Sequence, residues 1–134
     1  AFIACSMTLK EYLINKMRPF IFSTAMMPAI SHALSTSIQV AKNMDKEREI
    51  ILSNAKFLRD SLKEKEHNVL ESQSQIIPVI FDSEEKVLKK SFELKKKNFD
   101  IRAIRPPTVK EPRLRISINS GIERSDLEEL ISNF

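Results

Sequence analysis

The stretch Arg113-Leu-Arg-Ile-Ser-Ile-Asn119 alternates without a fault. Leu114, Ile116 and Ile118 fall on one face, and Arg113, Arg115, Ser117 and Asn119 on the other. A side-chain period of two predicts a strand with one buried face and one polar face. Gly121 breaks the run. Two other segments have strand character. Gln75-Ile-Ile-Pro-Val-Ile-Phe81 is a short apolar run. Its Pro78 cannot donate to a ladder, so this strand belongs at an edge or a bulge. Phe99, Ile101 and Ala103 alternate as a third. Between the first two runs, Ser83-Glu84-Glu85 opens a helix expected over about 84–97, with Val87, Leu88, Phe92 and Leu94 apolar. The pattern Ser125-x-x-Glu128 reads as a capping box opening a last helix on Leu127, Leu130 and Ile131. The fold class is therefore α+β: a small antiparallel or mixed sheet of about three strands covered by helices.

Upstream the chain is helical. A box at Thr8-x-x-Glu11 predicts a helix over about 8–17, with Leu9, Tyr12, Leu13 and Met17 on one face and Pro19 after it. Phe20-Ile21-Phe22 is a short apolar run. Pro28 suits the first turn of a helix, where its missing N–H costs nothing. Ile30, Ala33, Leu34, Ile38 and Ala41 then recur as a buried or half-buried stripe, over about 28–43. Asp45 is the expected N-cap of a helix reaching about residue 66, on Ile50, Ile51, Phe57, Leu58 and Leu62. Residues 1–5 (AFIAC) read as the end of a buried strand, and polar residues 67–74 (HNVLESQS) as a linker. The expected organisation is a helical segment over 1–44 and a small α+β domain over 45–134.

Composition excludes several chemistries. The 134 residues carry a net charge of +4, too small by itself to imply a nucleic-acid partner. Gly121 is the one glycine, so no glycine-rich phosphate loop exists in this sequence. Cys5 is the one cysteine, which rules out an internal disulfide and a Cys-based zinc site; His32 and His67 have no ligand-like spacing. No apolar run approaches the ~20 residues a membrane-spanning helix needs. The first residue is Ala1 rather than Met, and the chain reads as a portion of something longer or as a processed product.

Three clusters could carry chemistry. Arg113 and Arg115 stand on one strand face, about 6.5–7 Å apart along the strand. Arg105 precedes a rigid Pro106-Pro107 step, with Thr108 after it. Guanidinium forks suit a carboxylate, but on spacing alone solvated strand arginines weigh more, since exposed charges mostly do nothing specific. Lys89, Lys90, Lys95, Lys96 and Lys97 could grip a phosphate backbone. No aromatic ladder accompanies them, and lysines near a helix C-terminus are favourable in any case. Ser23-Thr24 precede a helix start and could serve an anion through hydroxyl and N–H groups.

Phe20-Ile-Phe-Ser-Thr-Ala-Met-Met-Pro28 resembles the segment after the active-site lysine of the α-oxoamine synthases. Ile101-Arg-Ala-Ile-Arg-Pro-Pro-Thr-Val109 with Arg113-Leu-Arg-Ile-Ser-Ile-Asn119 resembles their C-terminal domain. These are pyridoxal-phosphate enzymes of the aspartate-aminotransferase fold, which condense an amino acid with an acyl thioester and release CO₂. Ala103–Val109 is most similar to the branch that uses L-alanine and a pimeloyl thioester in biotin synthesis. The resemblance implies that Arg115 binds the amino-acid carboxylate, and that Thr108 and Arg105 line the substrate side of the pocket. It implies that Ser23 and Thr24 reach the cofactor phosphate across a homodimer interface. The whole enzyme would be cytoplasmic, with neither nucleic acid nor membrane as partner and with no metal. Two departures stand out. Lys110-Glu111-Pro112 is shorter than the usual Gly-containing loop, and Ser120-Gly121-Ile122 stands where relatives often carry a histidine-containing turn; Phe22 also falls where some relatives carry Tyr. The family's Schiff-base lysine and the Asp for the pyridinium nitrogen have no counterpart here, so the piece is expected to be inactive alone. The other readings are a sister synthase using glycine or serine, and a free-standing basic binding module.

Overall fold

The computed structural model describes residues 3–134. The chain divides into two compact units, residues 1–43 and residues 44–134.

The first unit is helical: α1 (Met7–Lys16), α2 (Arg18–Ile21) and α3 (Pro28–Lys42). Ser6, not Thr8, caps α1, its Oγ accepting from the Leu9 N–H at 3.4 Å. The apolar run at Phe20-Ile21 is a single helical turn, with Pro19 in its first positions, where no donor is needed. Pro28 opens α3 as expected. The buried strand expected over residues 1–5 is not present at Ile3, Ala4 and Cys5, which are exposed and irregular; Ala1 and Phe2 lie outside the described residues. The α3 stripe is also not buried. Ile30, Leu34 and Ile38 are each about half exposed, as are Phe20 and Met26. Their helical period is real, but nothing in this unit covers it.

The second unit holds the core. Helix α4 (Asp45–Glu64) starts one residue earlier than an Asp45 cap would allow: Met44 is the N-cap, and Asp45 sits in the first turn, where its charge suits the helix dipole. Next come β1 (Ile76–Ile80), α5 (Glu84–Lys96), β2 (Arg102–Ile104), β3 (Arg113–Ser117) and α6 (Arg124–Ser132). The sheet is antiparallel in the order β1-β3-β2, so the strand with the cleanest alternation is the central one. The expected three-stranded α+β layer is borne out.

Pro78 lies on the outer strand, opposite Arg115. Its carbonyl accepts from the Leu70 N–H at 3.1 Å, on the side away from β3. Within a strand one residue's N–H and C=O point the same way, so the donor Pro78 lacks would also have pointed away from β3. Residues 67–74 are not a linker between units. Val69 is buried and bridges Val79, so this segment runs along the outer edge of β1 inside the second unit.

One face of the sheet presents Ile77, Val79, Leu114 and Ile116 to Ala55, Leu58 and Leu62 of α4, Val87 and Leu94 of α5, and Leu127 and Leu130 of α6. Ser83 caps α5, its Oγ accepting from the Lys86 N–H at 3.3 Å. Leu88 and Phe92, two of the four apolar residues noted in α5, are exposed, with the Lys96 ammonium 4.6 Å from the Phe92 ring centre. The capping box of α6 is Glu123 with Asp126, two residues ahead of the expected Ser125 with Glu128. Asn54 of α4 donates to the Ile122 carbonyl at 3.2 Å and ties the entry of α6 to the long helix.

Leu58 is wholly buried. Truncation to alanine removes apolar contact and leaves a cavity, so Leu58→Ala should cost about 2–5 kcal/mol in a urea titration of the chain. A loss under ~1 kcal/mol would mean that this core collapses around the gap.

His67 packs edge-on against Phe134, ring centres 5.3 Å apart. Burial, then the charges of Lys90 and Lys65, hold its imidazole below the ordinary value. The neutral form is thus favoured in the folded chain, and the unfolded chain takes up the proton first as pH falls. This contribution is fully present above the unfolded value and is lost on acidification through about pH 6.5 toward the lowered folded value. Lys63 and Lys86 hold Glu71 and Asp82 low, but those carboxylates respond only in the lower, carboxylate range. Going from pH 7.5 to 5.5 should therefore lower the melting temperature more in the parent chain than in His67→Gln. Equal losses in both would remove His67 from the acid response.

Candidate functional site

The alternation that buries Leu114 and Ile116 sends Arg113 and Arg115 to the opposite face of β3. The expected shared face of these two arginines is borne out. The chain leaves β2 through Arg105, the cis Pro106–Pro107 step and Thr108, whose N–H donates back to the Arg105 carbonyl at 3.1 Å. This folds the loop over the end of the sheet. A depression of about 580 Å³ results, lined by Ala103, Ile104, Arg105, Pro106, Pro107, Thr108 and Arg115. Arg105, Thr108 and Arg115, singled out in the sequence, therefore share one concavity.

The arginines of this face are not equally free. The Arg105 guanidinium lies 3.5 Å from the Glu84 carboxylate at the start of α5. Arg113 is the least exposed of them; its Nε donates to the Glu111 carbonyl at 3.0 Å, and its guanidinium lies 3.8 Å from the Glu111 carboxylate. Arg115 is exposed and has no carboxylate within ion-pair distance among the described residues. A solvated guanidinium at the floor of a concavity, with its neighbours tethered, is suited to an incoming carboxylate.

Sequence reading missed Arg102. The register of β2 on β3 places it directly opposite Arg115. The pairing depends on how the 105–112 loop closes, which no local pattern encodes; the signal available was that Arg102 and Ile104 share a strand parity.

Ser23 and Thr24 belong to the first unit, in the irregular stretch between α2 and α3, and both are exposed. The Ser23 hydroxyl donates to the Thr24 carbonyl at 3.4 Å, at the limit of a hydrogen bond. The depression around Arg115 is built from the second unit alone. Among the described residues no three His, Cys, Asp or Glu side chains are grouped to hold a metal ion, and no helix is long and apolar enough to cross a membrane.

A family model described as aminotransferase class I and II matches residues 1–134. The chain belongs to that family. It is 36% identical over 134 residues to the 8-amino-7-oxononanoate synthase of Paraburkholderia phymatum, covering 97% of this chain and 34% of that protein. It is 37% identical over 134 residues to the enzyme of the same name from Dechloromonas aromatica, covering 98% of this chain and 35% of that protein. The chain thus spans about a third of the length of these curated relatives. Among solved structures it resembles the 8-amino-7-oxononanoate synthase of Francisella tularensis with a TM-score of 0.81 at 20% identity, over 96% of this chain and 38% of that one. It resembles the serine palmitoyltransferase of Sphingomonas wittichii with a TM-score of 0.82 at 21% identity, over 95% and 33%. These last two likenesses speak for the fold alone; the resemblance drawn from the sequence motifs is borne out at the level of the family.

Arg115 and Arg102 are like charges placed directly opposite on neighbouring strands, an arrangement that costs stability. Arg115→Gln should raise the stability of the chain at low ionic strength by up to about 1 kcal/mol. The gain should shrink at high salt, because the pair is exposed and screened. A destabilised variant at low salt would show that Arg115 holds the fold together.

Proposed function

We propose that the chain is the C-terminal part of a cytoplasmic pyridoxal-phosphate-dependent α-oxoamine synthase of the 8-amino-7-oxononanoate type. The whole enzyme would condense L-alanine with a pimeloyl thioester and release CO₂. The observation that carries this reading is Arg115: unpaired, exposed, and in one concavity with Arg105 and Thr108. Curated relatives named 8-amino-7-oxononanoate synthase, at 36% and 37% identity, support the choice of branch.

Bound pyridoxal phosphate supplies an electron sink for the charge that develops at the amino-acid α-carbon. This chain's own residues do the positioning. The Arg115 fork takes the alanine carboxylate and fixes which α-carbon bond is presented for reaction. Thr108 offers a hydroxyl and Arg105 a cation on the wall of the same concavity, where the acyl donor must approach. Hydroxyl and backbone N–H donors fit a phosphate, and Ser23 and Thr24 present such groups in an exposed stretch; on this reading they hold the cofactor phosphate across a homodimer interface. Residues 1–44 then belong to the end of the large cofactor domain and to the dimer interface, and residues 45–134 form the small domain. No lysine here stands in the family's Schiff-base context, so the 134-residue chain alone should not turn over alanine and a pimeloyl thioester even with cofactor added.

The test uses the full-length enzyme. Arg115→Ala should weaken alanine binding by about 1.5–3 kcal/mol, the worth of a charged hydrogen bond. Cofactor binding should persist, read from its absorbance. Alanine affinity that does not move in this variant would refute the assignment of Arg115.

A further inference from the structure

Arg102 and Arg115 face each other across β2 and β3, on the side of the sheet away from the core. Opposite residues on neighbouring antiparallel strands stand about 4.5–5.5 Å apart at Cβ, so the two arginine side chains leave the sheet from one small area. The chain neutralises neither fully. Arg115 has no ion pair among the described residues, and Arg102 has one contact, 3.4 Å from the Asp100 carboxylate with both groups well exposed. Exposed pairs of that kind contribute little and exchange easily. Arg105 and Arg113 have contacts of similar length, 3.5 Å to Glu84 and 3.8 Å to Glu111, so Arg115 is the arginine of this face with no carboxylate beside it among the described residues. Arg102 and Arg115 also line a second depression, of about 510 Å³, whose apolar wall includes Ile116, Ile118, Leu127 and Leu130 and whose charged lining also includes Lys97, Asp100, Asp126 and Glu129. Arg115 lines both hollows, so they adjoin. A cationic pair beside an apolar wall suits a ligand with a methylene chain and more than one anionic group.

We propose that Arg102 is a second carboxylate-recognising residue, placed to take the terminal carboxylate of a dicarboxylic acyl donor while Arg115 holds the amino-acid carboxylate. The inference rests on the synthase reading above, and it adds a specificity element: the enzyme selects acyl chains that end in a charge. An uncharged chain of equal length leaves the Arg102–Arg115 repulsion offset only by the exposed Asp100 contact, whereas a dicarboxylate relieves it further.

The experiment uses the full-length enzyme loaded with cofactor, and its Arg102→Gln and Arg102→Lys variants. Calorimetric binding of pimelate and of heptanoate is the first readout, because it needs no turnover. The parent should bind pimelate at least about tenfold more tightly than heptanoate; Arg102→Gln should lose most of that preference, and Arg102→Lys should recover part of it. With alanine as co-substrate, the ratio of kcat/KM for pimeloyl over heptanoyl thioester should fall in Arg102→Gln by a similar factor. A preference within twofold of the parent in Arg102→Gln, or equal binding of the two acids by the parent, overturns the assignment. Absence of turnover with both thioesters in the parent would count against the synthase reading, while the binding preference would still decide the role of Arg102.

Discussion

The register of β3 governs both the core and the candidate site. Leu114, Ile116 and Ile118 must face the helices, and that requirement alone turns Arg113, Arg115 and Ser117 to the other side. A slip by one residue would bury Arg115 and expose Leu114. Burying an unpaired guanidinium costs far more than any exposed arginine contributes, so the apolar face fixes where the basic face lies. The central place of β3 strengthens this, because β1 and β2 both take their register from it. The position of Arg115 is therefore set by the most buried part of the unit, and a group meant to orient a ligand gains from a rigid support.

Helices cover only one face of the sheet. The other face carries Arg102, Arg113 and Arg115, and the hollow beside the Pro106–Pro107 turn is lined by Arg115 from this face. Like charges opposite one another lower stability, and nothing in the second unit offsets the Arg102–Arg115 repulsion except solvent and a weak contact with Asp100. A feature that weakens the fold while sitting in a hollow makes sense when its compensation arrives with a ligand.

Much of this architecture was legible because local and tertiary requirements agree. The β3 alternation, the Ser83 cap of α5, Pro28 at the start of α3 and Pro78 on an outer strand each follow from a steric or hydrogen-bonding rule that neighbours do not alter. The misplaced caps have a common cause. Ser6 and Thr8 compete at α1, as do Glu123 and Ser125 at α6, and which residue wins depends on where packing lets the helix begin. For α6 that choice goes with the bond that Asn54, 68 residues away in sequence, donates to the Ile122 carbonyl. Arg102 was illegible for a similar reason, since its partner is chosen by loop closure. Leu88 and Phe92 show that an apolar residue on a helix need not be buried: of the four on α5, only Val87 and Leu94, seven positions apart, turn inward.

The first unit separates amphipathicity from burial. Ile30, Leu34 and Ile38 keep a helical spacing that serves no purpose on a solvated helix, and Phe20, Ile21 and Phe22 add large apolar side chains in the same unit, all well exposed. A soluble surface rarely leaves so much contiguous apolar area uncovered unless something docks on it. The chain spans about a third of the length of its curated relatives. On the synthase reading, the stripe records packing against the rest of the parent protein: the hydrophobic pattern evolved for a neighbour, and only that neighbour turns it into a core. The second unit has no such debt, since its own helices and sheet enclose Leu58, Leu62, Ile77 and Leu114 completely. On that reading the boundary between the units divides a segment that waits for a neighbour from a domain that encloses its own core.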